Sequence, residues 1–194
     1  NDAELPKSDL VVLPGGFSYG DYLRCGSMAS KSKIMKSVIN FANSGGMVMG
    51  ICNGFQILVE TGLVPGVLLR NKYLEFICKN VFVKINNKNN TYFKNLDNEV
   101  LEFHIAHNEG NYFCTKDQLK EIDDNAQVAI NYCDVNGNTE DQFNPNGSIK
   151  NIAGIFNKEK NVLGMMPHPE RMIDKSLSGE DGSLFFNNLI NNLK

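Results

Sequence analysis

Residues 47–56, MVMGICNGFQ, decide the fold of this chain. The apolar run Met47–Ile51 is typical of a buried strand, and the residues after Cys52 are typical of the start of a helix. Glycines on both sides of the cysteine, Gly50 and Gly54, allow a sharp turn between the two elements. The thiol of Cys52 is either a nucleophile or one more small apolar group of the core, because cysteine outside disulfides is among the most buried residue types.

Apolar runs and helical spacing also precede this stretch. The segment DLVVLP, residues 9–14, predicts a buried strand that opens into a loop at Gly15 and Gly16. From Lys33 the apolar residues fall at helical spacing, and the glycine pair at 45–46 predicts the end of that helix. Strand, helix, strand and helix in succession indicate a parallel sheet covered by helices.

The remainder of the chain predicts a different arrangement. Antiparallel strands joined by turns are predicted for NVFVKI (residues 80–85), TYF (91–93) and VLEFHIAH (100–107). Residues 115–124 predict a short helix, residues 127–134, 149–157 and 162–170 predict strands, and residues 182–194 predict a closing helix.

Length and composition narrow the class of protein. The chain has 194 residues, 42% hydrophobic and 21% charged, which predicts one globular domain spanning residues 1–194. A formal net charge of −3 argues against a nucleic-acid or membrane-surface partner, since such proteins carry a basic excess. No apolar stretch approaches the ~20 residues that cross a bilayer. Five scattered cysteines without a C-x-x-C pair predict reduced thiols and a cytoplasmic location.

A nucleophilic cysteine needs a base that takes its proton and later protonates the leaving group. His168 stands in Pro167-His168-Pro169-Glu170. The two prolines favour extended backbone, in which residues i and i+2 point to the same side. We therefore predict that Glu170 orients the imidazole of His168 and stabilises its charged form, as the third member of a triad does. The alternative is a surface turn with a salt-bridged glutamate.

Two backbone N–H groups are predicted to complete the site. Attack of a thiolate on an acyl carbon creates an oxyanion, which such groups usually stabilise. Gly16 follows a predicted parallel strand, and ligands bind beyond the carboxyl ends of such strands. Asn53 follows Cys52 at the helix start, where partial positive charge also favours the thiolate. We predict an oxyanion hole formed by Gly16 and Asn53, with a simple tight turn at PGG as the alternative.

Four segments, PGGFSYGDYLRCG (residues 14–26), GICNGFQILVETGLVPG (50–66), HNEGN (107–111) and GMMPHPER (164–171), resemble the glutaminase subunits of phosphoribosylformylglycinamidine synthases, within the class I glutamine amidotransferases. The resemblance covers nearly the whole chain. It implies a flavodoxin-like three-layer α/β fold with a mixed, mostly parallel sheet. It also implies Cys52 as the nucleophile, His168 as the acid and base, and Glu170 as the orienting carboxylate.

The resemblance further implies a glutamine pocket. The residues it assigns to substrate binding are Gly15, Phe17, Gln56, His107, Glu109 and Asn111. For His107, Glu109 and Asn111 an equal alternative to direct glutamine contact is an ordered loop that shapes the fold or an interface. The sequence departs from the family in two ways. The usual N-terminal strand and helix are missing, which predicts N-terminal truncation, and Asn108 stands where glycine is expected.

The predicted activity is hydrolysis of L-glutamine to glutamate and ammonia. The resemblance implies that the ammonia passes to an ATP-dependent synthetase subunit that converts formylglycinamide ribonucleotide to formylglycinamidine ribonucleotide, in a complex with a small bridging subunit. ATP and magnesium are expected on that synthetase, and no cofactor on this chain, which has no GxxxxGK[ST] loop. The alternatives are a glutaminase serving another synthetase, a catalytically silent scaffold, and a cysteine peptidase on a related fold.

Overall fold

A computed structural model describes residues 4–16, 25–176 and 178–193, without the side chain of Cys25. The strands in these residues are β1 (Leu10–Leu13), β2 (Met47–Ile51), β3 (Val67–Leu69), β4 (Ile77–Ile85), β5 (Val100–His107), β6 (Asn111–Phe113), β7 (Val128–Cys133), β8 (Ile152–Phe156) and β9 (Val162–Met165). The α-helices are α1 (Cys25–Ala29), α2 (Lys33–Asn43), α3 (Asn53–Glu60), α4 (Lys116–Asp124) and α5 (Asp181–Asn192).

One seven-stranded sheet organises the chain, in the order β1-β2-β9-β8-β7-β4-β5. The β1–β2 and β2–β9 pairs are parallel, and the other four pairs of this sheet are antiparallel. Strands β3 and β6 form a separate antiparallel pair. The architecture confirms the predicted α/β class and mixed sheet, but two of the six pairs that the described strands form in this sheet are parallel, fewer than a mostly parallel sheet would have. Its parallel part is the group β1, β2 and β9, which are also the strands that lead into the predicted catalytic residues.

Helix α3 packs closely on these three parallel strands because glycines leave room for it. A Cβ atom at Gly50 of β2 would lie 2.6 Å from the backbone of Gly54, and one at Gly164 of β9 would lie 2.2 Å from the ring of Phe55. A Cβ atom at Gly54 would lie only 1.9 Å from the carbonyl oxygen of Leu13 in β1. Side chains at these positions would push the helix away from the strands and move Cys52 with it.

The predicted elements agree with the structure except in three places. TYF, predicted as a strand, is part of a turn. The Tyr92 hydroxyl lies 2.7 Å from the carbonyl oxygen of Val48 and 2.8 Å from that of Asn161, and its one proton, shared between these two acceptors, holds the segment against β2. The start of the predicted strand at residues 149–157 is a short 3-10 helix, Ile149–Asn151. The predicted strand 162–170 ends at Met165, and Pro169–Arg171 form another 3-10 turn. None of the described helices is long and apolar enough to cross a membrane.

Candidate active site

The carboxyl ends of β1, β2 and β9 meet at one point of the sheet. Ile51 of β2 pairs with Met165 of β9, and the N–H of Cys52 donates to the carbonyl of Met165 at 2.8 Å. Gly15 and Gly16 follow β1 at the same edge, and His168 follows β9. The parallel pairing therefore brings together three segments that are far apart in the sequence, as expected for strand ends in an α/β sheet.

Cys52 has the backbone of a sharp strand-to-helix turn. Its φ of 52° and ψ of −106° lie where residues other than glycine are rarely found, at a cost of about 1–3 kcal/mol. The first turn of α3 helps to hold this conformation, since the N–H of Gln56 donates to the Cys52 carbonyl at 3.1 Å. The residue is only 6% exposed, and its Sγ lies 3.8 Å from the carbonyl oxygen of Ala106. The strained turn presents the sulfur at the end of β2.

His168 and Glu170 are in direct contact. Nδ1 of His168 lies 2.6 Å from Oε1 of Glu170, and the N–H of His168 donates to the carbonyl of His104 at 2.7 Å. The extended geometry predicted for the whole motif is wrong, because the chain enters a 3-10 turn at Pro169. The turn nevertheless leaves Glu170 against the imidazole. Nε2 of His168 is buried and makes no hydrogen bond within the described part of the chain.

Burial disfavours the charged form of Glu170, but the hydrogen bond to His168 and the charges of His168 and Arg171 outweigh it, so the pKa of Glu170 lies below its usual value. The ionised carboxylate can only accept hydrogen bonds, so Nδ1 of His168 carries the proton that it donates. Nε2 is then the ring atom that can take a proton from a nucleophile.

A small cavity unites the predicted residues. It is bordered by Gly16, Cys52, Asn53, Gln56, Ala106, His107, His168 and Arg171. Gly15 lies directly behind it, because a Cβ atom there would be 2.7 Å from Cε1 of His168 and 3.2 Å from Cβ of Cys52. The predicted nucleophile and the predicted base therefore border the same cavity. Gly16 and Asn53 both line this cavity, and their role as an oxyanion hole stays a prediction.

Gln56 connects helix α3 to the loop after β5. Its Oε1 accepts from Nδ2 of Asn53 at 2.7 Å, and its Nε2 donates to the carbonyl of Glu109 at 3.0 Å. Both side-chain atoms of its amide thus bind protein groups, although Gln56 also borders the cavity. Glu109 is buried, lies 3.9 Å from Nε of Arg70, and shares with Gln56 an adjoining cavity of about 300 Å³. That second cavity has the volume for the remainder of an amino-acid substrate.

One predicted binding residue, Asn111, lies away from the cavity, and another, Phe17, is not among the described residues. Asn111 does not border the catalytic cavity, and its amide lies 3.4 Å from the carbonyl of Arg70, at the weak limit for a hydrogen bond. Phe17 lies outside the described residues. Asn108 fits its position without strain, since its φ is not positive, and its carbonyl accepts from the N–H of Asn71 at 2.9 Å.

Two residues that the sequence did not predict for the site lie at it or next to it. Arg171, which directly follows the predicted triad carboxylate, borders the cavity. Asn71 is 1% exposed and contacts His107 through its side chain. The position of Arg171 after PHPE was a usable signal. Nothing local in the sequence distinguishes Asn71 from the other loop asparagines.

Two of the other described cysteines, Cys114 and Cys133, have environments unlike a nucleophile's, whereas Sγ of the exposed Cys78 lies 3.3 Å from Nε2 of His104. Cys78, Cys114 and Cys133 form no disulfides. Burial, with a contribution from Asp134, raises the pKa of Cys133 to about 11, and burial also raises the pKa of Cys114. These two thiols stay protonated near neutral pH and are weak nucleophiles.

Known proteins resemble this chain along most of its length. A family model described as a CobB/CobQ-like glutamine amidotransferase domain matches residues 1–180. The phosphoribosylformylglycinamidine synthase subunit PurQ of Pelagibacter ubique (strain HTCC1062) is 79% identical over 194 residues, which cover 100% of this chain and 86% of that protein.

Solved structures agree with the fold. A chain of the PurLQS structure from Thermotoga maritima is 39% identical with a TM-score of 0.84, and the match covers 98% of this chain and 82% of that chain. A glutamine amidotransferase from Thermotoga maritima is 16% identical with a TM-score of 0.58, over 98% of this chain and 81% of that chain, and supports the fold alone. These similarities confirm the predicted class I glutamine amidotransferase fold.

Proposed function

Because the chain belongs to the family of CobB/CobQ-like glutamine amidotransferase domains, we propose that it hydrolyses L-glutamine to glutamate and ammonia through Cys52, His168 and Glu170. The observation that carries the proposal is the 2.6 Å contact between His168 and Glu170 at a cavity that Cys52 also borders. A surface turn with a salt-bridged glutamate, the alternative, does not require a histidine that is 1% exposed.

The geometry supports a two-step acyl transfer. Nε2 of His168 accepts the thiol proton, and the Cys52 thiolate attacks the carboxamide carbon of glutamine. The N–H groups of Gly16 and Asn53 stabilise the oxyanion. His168 returns the proton to the leaving nitrogen, so that ammonia departs and a glutamyl thioester remains. Water, deprotonated by His168, then attacks the thioester and releases glutamate. Glu170 holds the imidazole and stabilises its charged form throughout.

The partner of this reaction is proposed from the relatives. Subunits named PurQ of phosphoribosylformylglycinamidine synthase match this chain closely, and the Thermotoga maritima structure is of PurLQS. We propose that the ammonia passes to an ATP-dependent synthetase subunit that converts formylglycinamide ribonucleotide to formylglycinamidine ribonucleotide in purine biosynthesis. A small bridging subunit completes the complex, ATP and magnesium bind to the synthetase, and the reaction takes place in the cytoplasm.

The test is glutamate release from glutamine by the purified chain, alone and with its synthetase. We expect Cys52→Ser to lose at least about 10³-fold in kcat, since removal of a catalytic-triad member has effects of that size. The matched control is Cys133→Ser, which replaces a buried cysteine that does not line the cavity and is expected to keep the activity. Full activity in Cys52→Ser, or no activity of the wild type with its synthetase, would contradict the proposal.

A second measurement identifies the nucleophile directly. An electrophilic glutamine analogue should alkylate Cys52, and mass spectrometry of the digested chain reads the site. Excess glutamine should protect it. Cys78 is exposed, unlike Cys52, Cys114 and Cys133. Equal labelling of Cys78 and Cys52 would show that Cys52 has no special reactivity.

A further inference from the structure

Asn71 and His107 form a buried pair beside the catalytic cavity. The side chain of Asn71 has four contacts. Its Nδ2 donates to the carbonyls of Glu75 (2.8 Å) and His107 (2.9 Å), and its Oδ1 accepts from the N–H of Gly110 at 3.1 Å and lies 3.0 Å from Nδ1 of His107. A flipped amide would direct its NH2 group at a backbone N–H and its oxygen at two carbonyls. The main chain therefore determines the orientation of this amide.

The orientation of Asn71 determines the tautomer of His107. The amide oxygen only accepts, so Nδ1 of His107 must carry the proton that joins them. Burial, together with the charge of His168, lowers the pKa of His107 to about 4. The imidazole is therefore neutral near pH 7, and its Nε2 is an unprotonated hydrogen-bond acceptor.

Nε2 of His107 is a buried acceptor that the described residues leave without a hydrogen bond. Such a group costs about 1–3 kcal/mol and calls for an explanation. His107 borders the same cavity as Cys52 and His168. The described residues enclose a cavity volume of about 10 Å³, which is enough for one water-sized group. The residues that line the cavity therefore lie close together. A group that enters this cavity to reach Cys52 therefore also meets His107.

We infer that Nε2 of His107 accepts a hydrogen bond from the carboxamide NH2 of glutamine, and that Asn71 is the positioning residue that keeps this nitrogen unprotonated. The inference rests on the proposed glutaminase activity. Glutamine has two groups that donate hydrogen bonds through nitrogen, the carboxamide and the α-ammonium group. The carboxamide is the one that must lie against Cys52 for the reaction. With one N–H bond held by His107, the nitrogen of the tetrahedral intermediate can turn its lone pair to His168, which protonates it.

This arrangement distinguishes the substrate from the product. The carboxamide offers N–H groups to the bare Nε2, whereas the carboxylate of glutamate offers only oxygen lone pairs, which repel it. A site that hydrogen-bonds a substrate NH discriminates strongly against an analogue that lacks it. His107 thus favours binding of glutamine and release of glutamate.

The tautomer is tested first, without reference to activity. The sequence has three histidines, so a long-range ¹H–¹⁵N spectrum of the ¹⁵N-histidine-labelled chain contains few ring systems. We expect His107, assigned by its loss in His107→Gln, to show a protonated Nδ1 and a bare Nε2 from pH 5.5 to 8. A protonated Nε2 in the wild type would overturn the inference. Asn71→Ser should introduce the other tautomer.

The second test is kinetic, in the complex with the synthetase. Asn71→Ser should lower kcat/KM for glutamine about 10- to 30-fold, the worth of one hydrogen bond in a buried site, and should strengthen inhibition by glutamate. A structural defect alone would not make the product bind more tightly. The matched control is Gln127→Ser, which removes another buried amide, bonded to the carbonyl of Phe156, away from the cavity.

The outcomes separate the inference from the proposed function. An unchanged ratio of the glutamine KM to the glutamate inhibition constant in Asn71→Ser, beside an active wild type, would overturn the role of Asn71. A wild-type complex that releases no glutamate from glutamine would overturn the glutaminase proposal and the carboxamide assignment together, even with His107 in the expected tautomer.

Discussion

Acidification should destabilise this protein through His107. Burial lowers the pKa of this imidazole to about 4, compared with 6.5 for an unperturbed histidine. Between these values the unfolded chain binds a proton that the folded chain excludes, so the free energy of unfolding falls as the pH falls. Above the higher value both states are neutral, and below the lower value both are charged.

The size of the effect follows from the difference between the two values. At about 1.4 kcal/mol for each pH unit in the window, lowering the pH from 7 to 4.5 should remove about 2–3 kcal/mol of stability through this one group. Urea unfolding followed by circular dichroism at the two pH values measures the loss. In His107→Gln, where the side chain cannot titrate, the loss should be smaller than in the wild type by that amount.

A histidine on the same strand, His104, provides a control that tests whether burial causes the pH dependence of stability. Burial also lowers the pKa of His104, with Arg171 and His168 contributing, but this residue is only partly buried. His104→Gln should therefore change the pH dependence less than His107→Gln does. Equal pH dependence in the wild type and His107→Gln would show that His107 titrates normally, and the reasoning about its neutral form would then be wrong.

Three further substitutions have defined outcomes. Gly15→Ala should lower kcat about 10²-fold with little loss of stability, because the new methyl group would displace the side chains of Cys52 and His168. Steady-state kinetics and thermal unfolding measure the two effects, and an unchanged kcat would mean that both side chains adjust freely. Glu170→Gln should lower kcat at least about 10-fold with KM nearly constant, since the amide no longer stabilises a charged His168; a change in KM alone would argue against that role. Tyr92→Phe should destabilise the fold by about 1–2 kcal/mol in urea unfolding and leave kcat unchanged, because Tyr92 does not line the cavity and its hydroxyl proton is shared between the carbonyls of Val48 and Asn161.

Local patterns were sufficient for the elements that lead into the site. The apolar run before Cys52 and the helix after it lie where the sequence predicts them, because burial and glycine placement act over a few residues. TYF is a turn and not the predicted strand. The hydroxyl of its Tyr92 hydrogen-bonds a strand more than forty positions away, and no local sequence pattern indicates such a contact. The 3-10 turn at Pro169 was missed for a related reason, since two prolines restrict the backbone without determining how the chain leaves the sheet.

The sequence by itself determined the class of fold, the cysteine at a strand-to-helix junction and the His-Pro-Glu motif, since each depends on neighbouring residues. Only the tertiary structure decided which other groups meet at that junction. Parallel pairing of β1, β2 and β9 brings the segments that carry Cys52 and His168 to one edge, and the loop around Asn71 reaches His107 through contacts between residues 36 positions apart. The state of a proton on a buried imidazole depends on the atoms packed around it, and those atoms come from segments that the linear sequence keeps apart.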